Sequence, residues 1–308
     1  MNGFVSSPSD ISTNLQELIR LIDQRASSDG TFVSSVPGLY FRRASHVSEL
    51  NHTVHMPSLY VVAQGSKTAM LAGENYVYDP TTYMVTSVQL PVTGKITQAS
   101  SELPYLSLQL SISPDAILDI IKKSPPPCNV KTGRGILVSQ FDPLLLDALL
   151  RLVRLSDTPA DIQFLAPLIT HEILYRVLQG EQGALIRQFA VVGSYAHSIS
   201  KAIHLITRDY SKPLVIEELA KEVNMSPSSL HKHFKKVTAI SPLQYQKAIR
   251  LQAARRLLLS EGLEAATVGF RVGYESPSQF SREYGRMFGR PPMSDVKHLR
   301  NSLSVSVD

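Results

Sequence analysis

Two sets of polar and basic side chains recur about fifty residues apart, around Ser226-Pro227-Ser228 and Ser276-Pro277-Ser278. Arginine can donate two parallel hydrogen bonds to guanine, and lysine, histidine, serine and glutamine can contact a base edge or a phosphate. Two sets of this kind therefore predict DNA binding. The predicted base-contacting residues are Ser228, His231, Lys232, Ser278, Gln279 and Arg282. The predicted phosphate-contacting residues are Ser226, Lys235, Lys236, Ser276 and Arg286.

The first two residues of each set predict the start of a helix. Ser226 and Ser276 can accept a hydrogen bond from an unpaired amide of the first turn. Pro227 and Pro277 suit the first helical position, where no backbone donor is needed. Each predicted helix carries two large side chains four residues apart, which share the face toward the domain core. These pairs are Leu230 with Phe234, and Phe280 with Tyr284.

A shorter helix and a tight turn precede each of these helices. Ala220 and Gly269 are small enough to let two helices cross closely, and Asn224 and Gly273 tolerate the left-handed backbone of a tight turn. Helix, turn and polar-faced helix form a helix-turn-helix, whose second helix enters the major groove. The two predicted units span about 216–237 and about 264–287. A long apolar-sided helix, 242–259, joins them and is expected to hold them at a fixed separation.

The charge of the 308-residue chain is concentrated in the same region. The formal net charge is +5, but residues from 197 onward contain 17 Lys and Arg against 10 Asp and Glu, whereas the first 196 contain 14 against 16. Phosphate neutralisation by such a segment releases counterions, so we expect DNA affinity to fall steeply with salt.

Several sequence features predict a cytoplasmic protein that does not enter a membrane. Cys128 is the only cysteine, so no intrachain disulfide can form, and this fits a reducing compartment. We interpret Cys128 as an ordinary loop thiol. The N-terminus shows no secretory signal, and no apolar run of about 18 residues occurs.

The N-terminal part of the chain reads as short strands followed by helices. After a helical segment at 11–25, strands predicted between residues 31 and 112 suggest a small barrel or sandwich. Residues 113–179 are predicted to be helical, with one helix starting at Pro143 after an Asp142 cap and another at Pro167. This segment is expected to form a dimer contact or, alternatively, to pack within its own domain. Four side chains could line an effector pocket or simply fill the core: Tyr60, Gln64, Tyr76 and Tyr83.

The C-terminal hundred residues resemble the AraC/XylS family of transcriptional regulators, most specifically in residues 272–284 (VGYESPSQFSREY), Met287-Phe288-Gly289 and Pro291-Pro292. Residues 58–110 resemble the cupin-type effector domain of one branch of that family. The resemblance implies an α+β multidomain fold. Its parts are a β-barrel, cupin-like effector and dimerisation domain at 1–180, a linker at 181–196, and an all-α DNA-binding domain with two helix-turn-helix motifs at 197–302.

The implied function is sequence-specific regulation of transcription, effector-responsive and with activation favoured over repression. The implied partners are double-stranded DNA, an unknown small-molecule effector, RNA polymerase and a second copy of the chain. Neither a cofactor nor enzymatic activity is expected.

Three alternative functions compete with this interpretation. A metal-dependent cupin enzyme needs converging histidines, but His52 and His55 are three residues apart and on a strand would point to opposite faces. A DNA-repair alkyl acceptor needs an activated thiol, and Cys128 has no neighbouring histidine or glutamate. An architectural DNA-binding protein without effector control remains the serious alternative.

Overall fold

The computed structural model describes residues 8–123 and 133–304. The chain divides into two compact units: one comprises Met1–Asn51 with His55–His197, and the other His52–Val54 with Ser198–Asp308. Cys128 lies outside the described residues, so its interpretation stays a prediction. Within the described ranges no helix is both long and apolar enough to cross a membrane.

The strands form two sheets. The strands are β1 Gly30–Val33, β2 Leu39–Ala44, β3 Asn51–His55, β4 Ser58–Gln64, β5 Ser66–Leu71, β6 Glu74–Tyr78, β7 Thr82–Thr86, β8 Leu90–Gln98, β9 Tyr105–Ser111 and β10 Ile136–Gln140. The larger sheet has the order β1-β2-β9-β4-β7-β10, with every neighbouring pair antiparallel, and the smaller has the order β3-β8-β5-β6.

The larger sheet separates two environments because successive side chains of a strand point to opposite faces. On β4, Leu59 and Val61 belong to the apolar core that this sheet shares with the helices. Tyr60, between them, points to the other face. There the His55 ring of β3 stacks on it, with ring centroids 4.7 Å apart. The space between the two sheets is therefore distinct from the helix-covered core.

The first unit also contains helices that cover one face of the larger sheet. They are α1 Pro8–Arg25, α2 Pro114–Lys122, α3 Pro143–Arg154, α4 Pro159–Gln179 and α5 Gly183–Ala190. The predicted start of α3 is confirmed, because the Asp142 side chain accepts a hydrogen bond from the Leu144 amide at 3.1 Å.

The predicted helix start at Pro167 is wrong. Helix α4 begins at Pro159, and Pro167 lies inside it. A proline within a helix removes one backbone hydrogen bond, but packing of an apolar face can maintain the helix. On α4 that face includes Ile173, Leu174 and Val177, all buried in the core.

Two other segments also differ from the sequence-based expectation. The zone expected to be helical contains β10, which pairs with β7 and brings Val138 opposite Met84. The segment 181–196, expected to be a linker, contains α5, whose Ile186 and Ala190 are buried in the first unit's core. Gly180 to Gly183 is therefore a turn between packed helices.

The described elements from Ser198 onward are all helices. After α6 Tyr195–Arg208 they are α7 Ile216–Glu222, α8 Pro227–Thr238, α9 Pro242–Glu261, α10 Ala265–Arg271, α11 Pro277–Phe288 and α12 Pro292–Ser304. A capping box between Ser241 and Gln244 starts α9, and Gly262 ends it in the left-handed conformation at φ 65°. The predicted α+β class is confirmed, because the described strands all precede residue 141 and the described elements from Ser198 onward are all helices.

Candidate nucleic-acid interface

The two predicted helix-turn-helix units are present and share the same turn chemistry. Asn224 after α7 and Gly273 after α10 have φ of 55° and 94°. This confirms that both turns use left-handed backbone, which glycine and asparagine adopt most readily.

The hydrogen bonds of the two turns also correspond. In the first, the Met225 amide donates to the Ala220 carbonyl at 2.9 Å. In the second, the Tyr274 amide donates to the Gly269 carbonyl at 3.0 Å. A bond that reaches back five residues, next to a left-handed residue, is the Schellman ending of a helix. The same ending thus redirects the chain in both units, although the second turn is one residue longer.

Helices α8 and α11 are the second helices of the two units and are called the recognition helices; each begins as its serine predicts. The Ser226 hydroxyl accepts from the Ser229 amide at 3.3 Å, and the Ser276 hydroxyl accepts from the Gln279 amide at 3.4 Å. The proline after each serine occupies the first turn. Phosphate oxygens only accept hydrogen bonds, and the capping bonds leave the proton of each serine hydroxyl available to donate to one.

The apolar anchors of both recognition helices are fully buried. Leu230 and Phe234 of α8, and Phe280 and Tyr284 of α11, have no measurable exposure. Tyr284 additionally donates to Asp295 of α12 at 2.7 Å. Arg255 of α9 binds the same carboxylate through both of its oxygens, at 2.8 and 2.9 Å. Helix α11 is therefore fixed from its inner side.

Gly269 explains how closely the second pair of helices packs. A Cβ atom at this position would lie 3.1 Å from the Phe280 ring, tighter than ordinary van der Waals contact. The residue therefore brings α10 against α11 at the point where Phe280 is buried. Sequence reasoning identified the small residue but not the ring that requires it.

The outward faces of α8 and α11 carry the predicted DNA-contacting side chains. All six predicted base-contacting residues are exposed, as are Ser226, Lys235, Lys236 and Arg286, while Ser276 is half-buried. The structure thus brings each set together on one helix surface, opposite the buried anchors. Contact of these residues with bases or phosphates stays a prediction.

Glu283 is an acidic residue on the basic helix α11 that sequence reasoning missed. It accepts hydrogen bonds from Lys247 of α9 and from the Tyr274 hydroxyl, each at 2.8 Å. Burial raises its pKa, but the bonds from Lys247, Tyr274 and Gln279 outweigh burial, so the net pKa is lowered. Glu283 therefore stays ionised and orients Gln279, four residues away on the predicted DNA-facing side. Its spacing from Gln279 is the signal that could have revealed it.

Arg250 of α9 was also missed, and it ties the two helix-turn-helix units together. Its guanidinium donates to the Tyr210 carbonyl at 2.7 Å, the Lys212 carbonyl at 2.9 Å and the Gly273 carbonyl at 2.8 Å. The first two precede α7, and Gly273 lies in the turn before α11. The approach is close, since a Cβ on Gly273 would lie 2.1 Å from the Ser211 carbonyl oxygen.

The four predicted effector-pocket residues do not share one environment. Tyr60 lies between the sheets against His55. Gln64 donates to the Pro104 carbonyl at 2.8 Å, and Tyr76 donates to Glu74 at 2.8 Å. Tyr83 lies in the helix-covered core, with its ring centroid 5.5 Å from that of Phe141. Tyr83 is therefore on the opposite face of the larger sheet from Tyr60.

In the part of the chain that the structure describes, no group of three or more His, Cys, Asp or Glu side chains is placed so that it could hold a metal ion.

Two family models match the chain. The model described as AraC-type transcriptional regulator N-terminus matches residues 35–185, and a helix-turn-helix domain model matches residues 219–297. Together they cover most of both compact units.

Curated relatives and solved structures are similar along much of the chain. The lactose operon transcription activator of Staphylococcus xylosus is 25% identical over 77% of this chain and 83% of its own length. The Msm operon regulatory protein of Streptococcus mutans is 24% identical over 67% and 72%, respectively. The crystal structure of unsaturated fatty acid bound ToxT from Vibrio cholerae matches with a TM-score of 0.55 and 12% identity, covering 87% of this chain and 96% of that one. This last likeness concerns the fold alone.

Proposed function

Because the chain belongs to the AraC/XylS family of DNA-binding transcriptional regulators, we propose that it is an effector-responsive activator that reads two successive major grooves with one monomer. In this proposal α8 enters one groove and α11 the next, on the same side of the duplex. Binding of a small molecule in the first unit changes how the DNA-binding units of a dimer engage adjacent sites.

The observation that carries the two-groove proposal is the rigid mounting of both recognition helices. Helix α9 has 20 residues, so it is about 30 Å long at about 1.5 Å per residue. Successive major grooves on one side of B-DNA are about 34 Å apart. Arg250 adds direct bonds between the segment before α7 and the turn before α11. A rigid connection of this length suits simultaneous entry into two grooves.

The two recognition helices offer different chemistry, which supports reading of an asymmetric site. In α11, Arg282 suits guanine and Gln279 suits adenine, because each can make a bidentate contact with that base. In α8, Ser228, His231 and Lys232 are less selective donors. Lys235, Lys236 and Arg286 would add phosphate contacts that depend on salt and not on sequence.

The names of similar proteins support activation and the binding of an effector. One similar protein is named as a transcription activator, and the similar ToxT structure holds an unsaturated fatty acid. We extend activation and the binding of a small-molecule effector to this chain as part of the proposal. RNA polymerase is then the partner that an activator bound beside a promoter must contact.

A paired substitution separates base reading from phosphate binding. We expect Arg282→Ala to cost about 1–3 kcal/mol at one base position and to relax specificity there. Lys235→Ala should weaken binding to all sequences alike. It should also reduce the slope of log affinity against log salt concentration by about one, because one phosphate contact is lost. Selection of bound sequences from a random pool, with affinity measured at several salt concentrations, checks both expectations.

The opposite result would favour the architectural alternative. If wild-type protein selects no sequence from the pool, and both variants lose affinity equally for random DNA, site-specific regulation is excluded. In vitro transcription from a selected site, with and without the protein, then tests the sign of regulation: a fall in transcript would contradict activation.

A further inference from the structure

The inward faces of the two sheets hold a group of polar and aromatic side chains that DNA binding does not use. We call it the inter-sheet cluster, and its members come from six different strands. They are Arg42 of β2, His55 of β3, Tyr60 of β4, Lys67 of β5, Tyr78 of β6 and Tyr105 of β9.

Lys67 is the most unusual member of the inter-sheet cluster. Only 8% of the residue is exposed, and it lies on the inward face of β5, directly opposite Tyr78 of β6 and Ile96 of β8. Among the ion pairs of the described residues, none includes Lys67. Burial, with a further contribution from the positive charge of Arg42, lowers the pKa of Lys67 to about 7. A lysine is seldom buried without a counter-charge.

Two further polar groups of the cluster are buried without a hydrogen-bond partner. These are Nδ1 of His55 and the hydroxyl of Tyr78. His55 is 5% exposed and Tyr78 is 1% exposed. Leaving a buried polar group unpaired costs about 1–3 kcal/mol, and native proteins rarely leave several such groups in one place.

The charges that act on this cluster are positive. The pKa of His55 is lowered to about 3, first by burial and then by the charges of Lys67 and Arg42. Among the described strands, the only carboxylate is that of Glu74, at the start of β6. It is held at the edge of the sheet by Arg134 and Tyr76. The cluster thus has two cations and unpaired hydrogen-bonding groups but no acidic partner in the described chain.

Gly94 provides the room that the Lys67 side chain occupies. A Cβ at Gly94 of β8 would lie 3.2 Å from Cε of Lys67 and 3.7 Å from its Nζ. Around this point the inward side chains of β8 and β4 are apolar and buried, among them Val92, Ile96 and Val62. A ligand that reached the ammonium would therefore meet apolar walls along the rest of its surface.

We propose that the inter-sheet space binds a small organic carboxylate, which accepts hydrogen bonds from Lys67 and Tyr78 and packs its apolar body against the surrounding side chains. The carboxylate supplies the negative charge that Lys67 and Arg42 lack, and it satisfies donors that are buried and unpaired. A single carboxylate with an apolar body suits this site better than a phosphate, because few donors converge and the walls are apolar. The proposal rests on the effector-responsive function proposed above and names the ligand class and the site.

The test compares carboxylates with neutral molecules of the same shape. The melting temperature of the full-length protein is measured with octanoate, benzoate, octanamide, benzamide and inorganic phosphate. A ligand that binds the folded state raises the melting temperature with concentration. We expect at least one carboxylate to raise the melting temperature and the corresponding amide to leave it unchanged. Lys67→Met should lower the affinity for that carboxylate by at least about tenfold.

Matched variants separate this site from general effects of charge. Lys95→Met removes an exposed lysine from β8 and should leave the carboxylate response intact. Gly94→Ala should weaken the response, because the new Cβ crowds the Lys67 side chain, and it keeps the test decisive if Lys67→Met does not fold.

The possible results separate this inference from the proposed function. Stabilisation by no carboxylate, by amides equally, or by phosphate equally would overturn the inference. If an amide stabilises the protein and also alters operator affinity, effector control stands and the carboxylate site fails. If a carboxylate binds through Lys67 but operator affinity and transcription do not change, the site stands and effector control fails.

Discussion

At the scale of single residues, Gly269 shows how one missing side chain sets the packing of a recognition unit. In helix α10 glycine costs about 1 kcal/mol of helix propensity relative to alanine. The contact with Phe280 gives the compensation, since a side chain at 269 would press on a fully buried ring. The residue therefore favours close crossing of α10 and α11 over the stability of α10 by itself.

We expect Gly269→Leu to destabilise the second unit by about 1–3 kcal/mol, because overpacking forces Phe280 to move. Gly285→Leu on α11 is the matched control, since a Cβ there meets nothing closer than 3.8 Å. Chemical denaturation of both variants measures the difference. Equal stability of the two would show that the ring adapts to the added side chain.

The burial of Lys67 leads to a prediction about how stability depends on pH. The pKa of Lys67 is about 7 in the folded protein against a usual 10.5, so between these values the unfolded chain binds a proton that the folded chain does not. The contribution of Lys67 to the free energy of unfolding therefore rises with pH across that range. Below pH 7 the side chain is charged in both states, and the folded protein bears the full cost of burying the charge. The pKa of His55, at about 3, and that of Tyr105, at about 12, lie outside the window.

The measurement is the melting temperature of wild type and Lys67→Met without ligand from pH 7 to pH 10. We expect the variant to be the more stable at pH 7 and its advantage to shrink as pH rises. Lys95→Met should show no such trend relative to wild type. An advantage that is constant across this range would mean that Lys67 does not change its protonation in the folded protein.

At the scale of elements, α9 connects the two helix-turn-helix units, and hydrogen bonds from its side chains help to fix their relative orientation. A helix alone fixes a distance, but the orientation of α11 relative to α7 also depends on the loops at each end. Arg250 binds carbonyls from both of those regions. Gln246, one turn earlier on α9, adds a bond to the Lys212 carbonyl at 2.8 Å.

We expect Arg250→Met to lower affinity for a two-groove operator by at least about tenfold, because the segment before α7 and the turn before α11 lose the side chain that joins them. Affinity for DNA that carries only the site read by α11 should change less, because a single recognition helix needs no fixed partner. Arg256→Met, an exposed substitution on the same helix, is the control. Equal losses on both DNAs would contradict the positioning role of Arg250.

At the scale of the whole molecule, α4 presents an apolar face that its own unit does not cover. Phe164, Leu168 and Tyr175 are 69%, 66% and 47% exposed, and their spacing places them on one side of the helix. We propose a second copy of the chain as the occupant, in line with the dimer contact predicted for residues 113–179. Dimerisation would bring two DNA-binding units together and raise affinity for paired sites.

The double substitution Phe164→Ser and Leu168→Ser is expected to convert a dimer into a monomer, because it removes the two most exposed apolar side chains of this face. Sedimentation equilibrium of the full-length protein measures the change. Val33→Ser, at an even more exposed apolar residue of β1, should leave the oligomeric state unchanged. A monomeric wild type, or a double variant that remains dimeric, would exclude this face as the dimer contact.

The sequence by itself determined the features that depend on neighbours along the chain. Serine caps, prolines at the first helical turn, left-handed residues in the turns and the four-residue spacing of buried anchors are local rules, and they predicted both helix-turn-helix units. The start of α4 escaped these rules, because Pro167 is tolerated inside the helix by packing against the core.

Tertiary structure decided which distant residues meet, because such contacts carry no signal in local spacing. It brought Arg250 to the Gly273 carbonyl, placed Phe280 over Gly269, and separated Tyr83 from Tyr60 on opposite faces of one sheet. It also collected Lys67, His55 and Tyr78 from three strands into one buried space. The twin serine-proline motifs thus predicted the two helix-turn-helix units, whereas the bonds that join these helix-turn-helix units, and the side chains gathered between the sheets, depend on the folded chain.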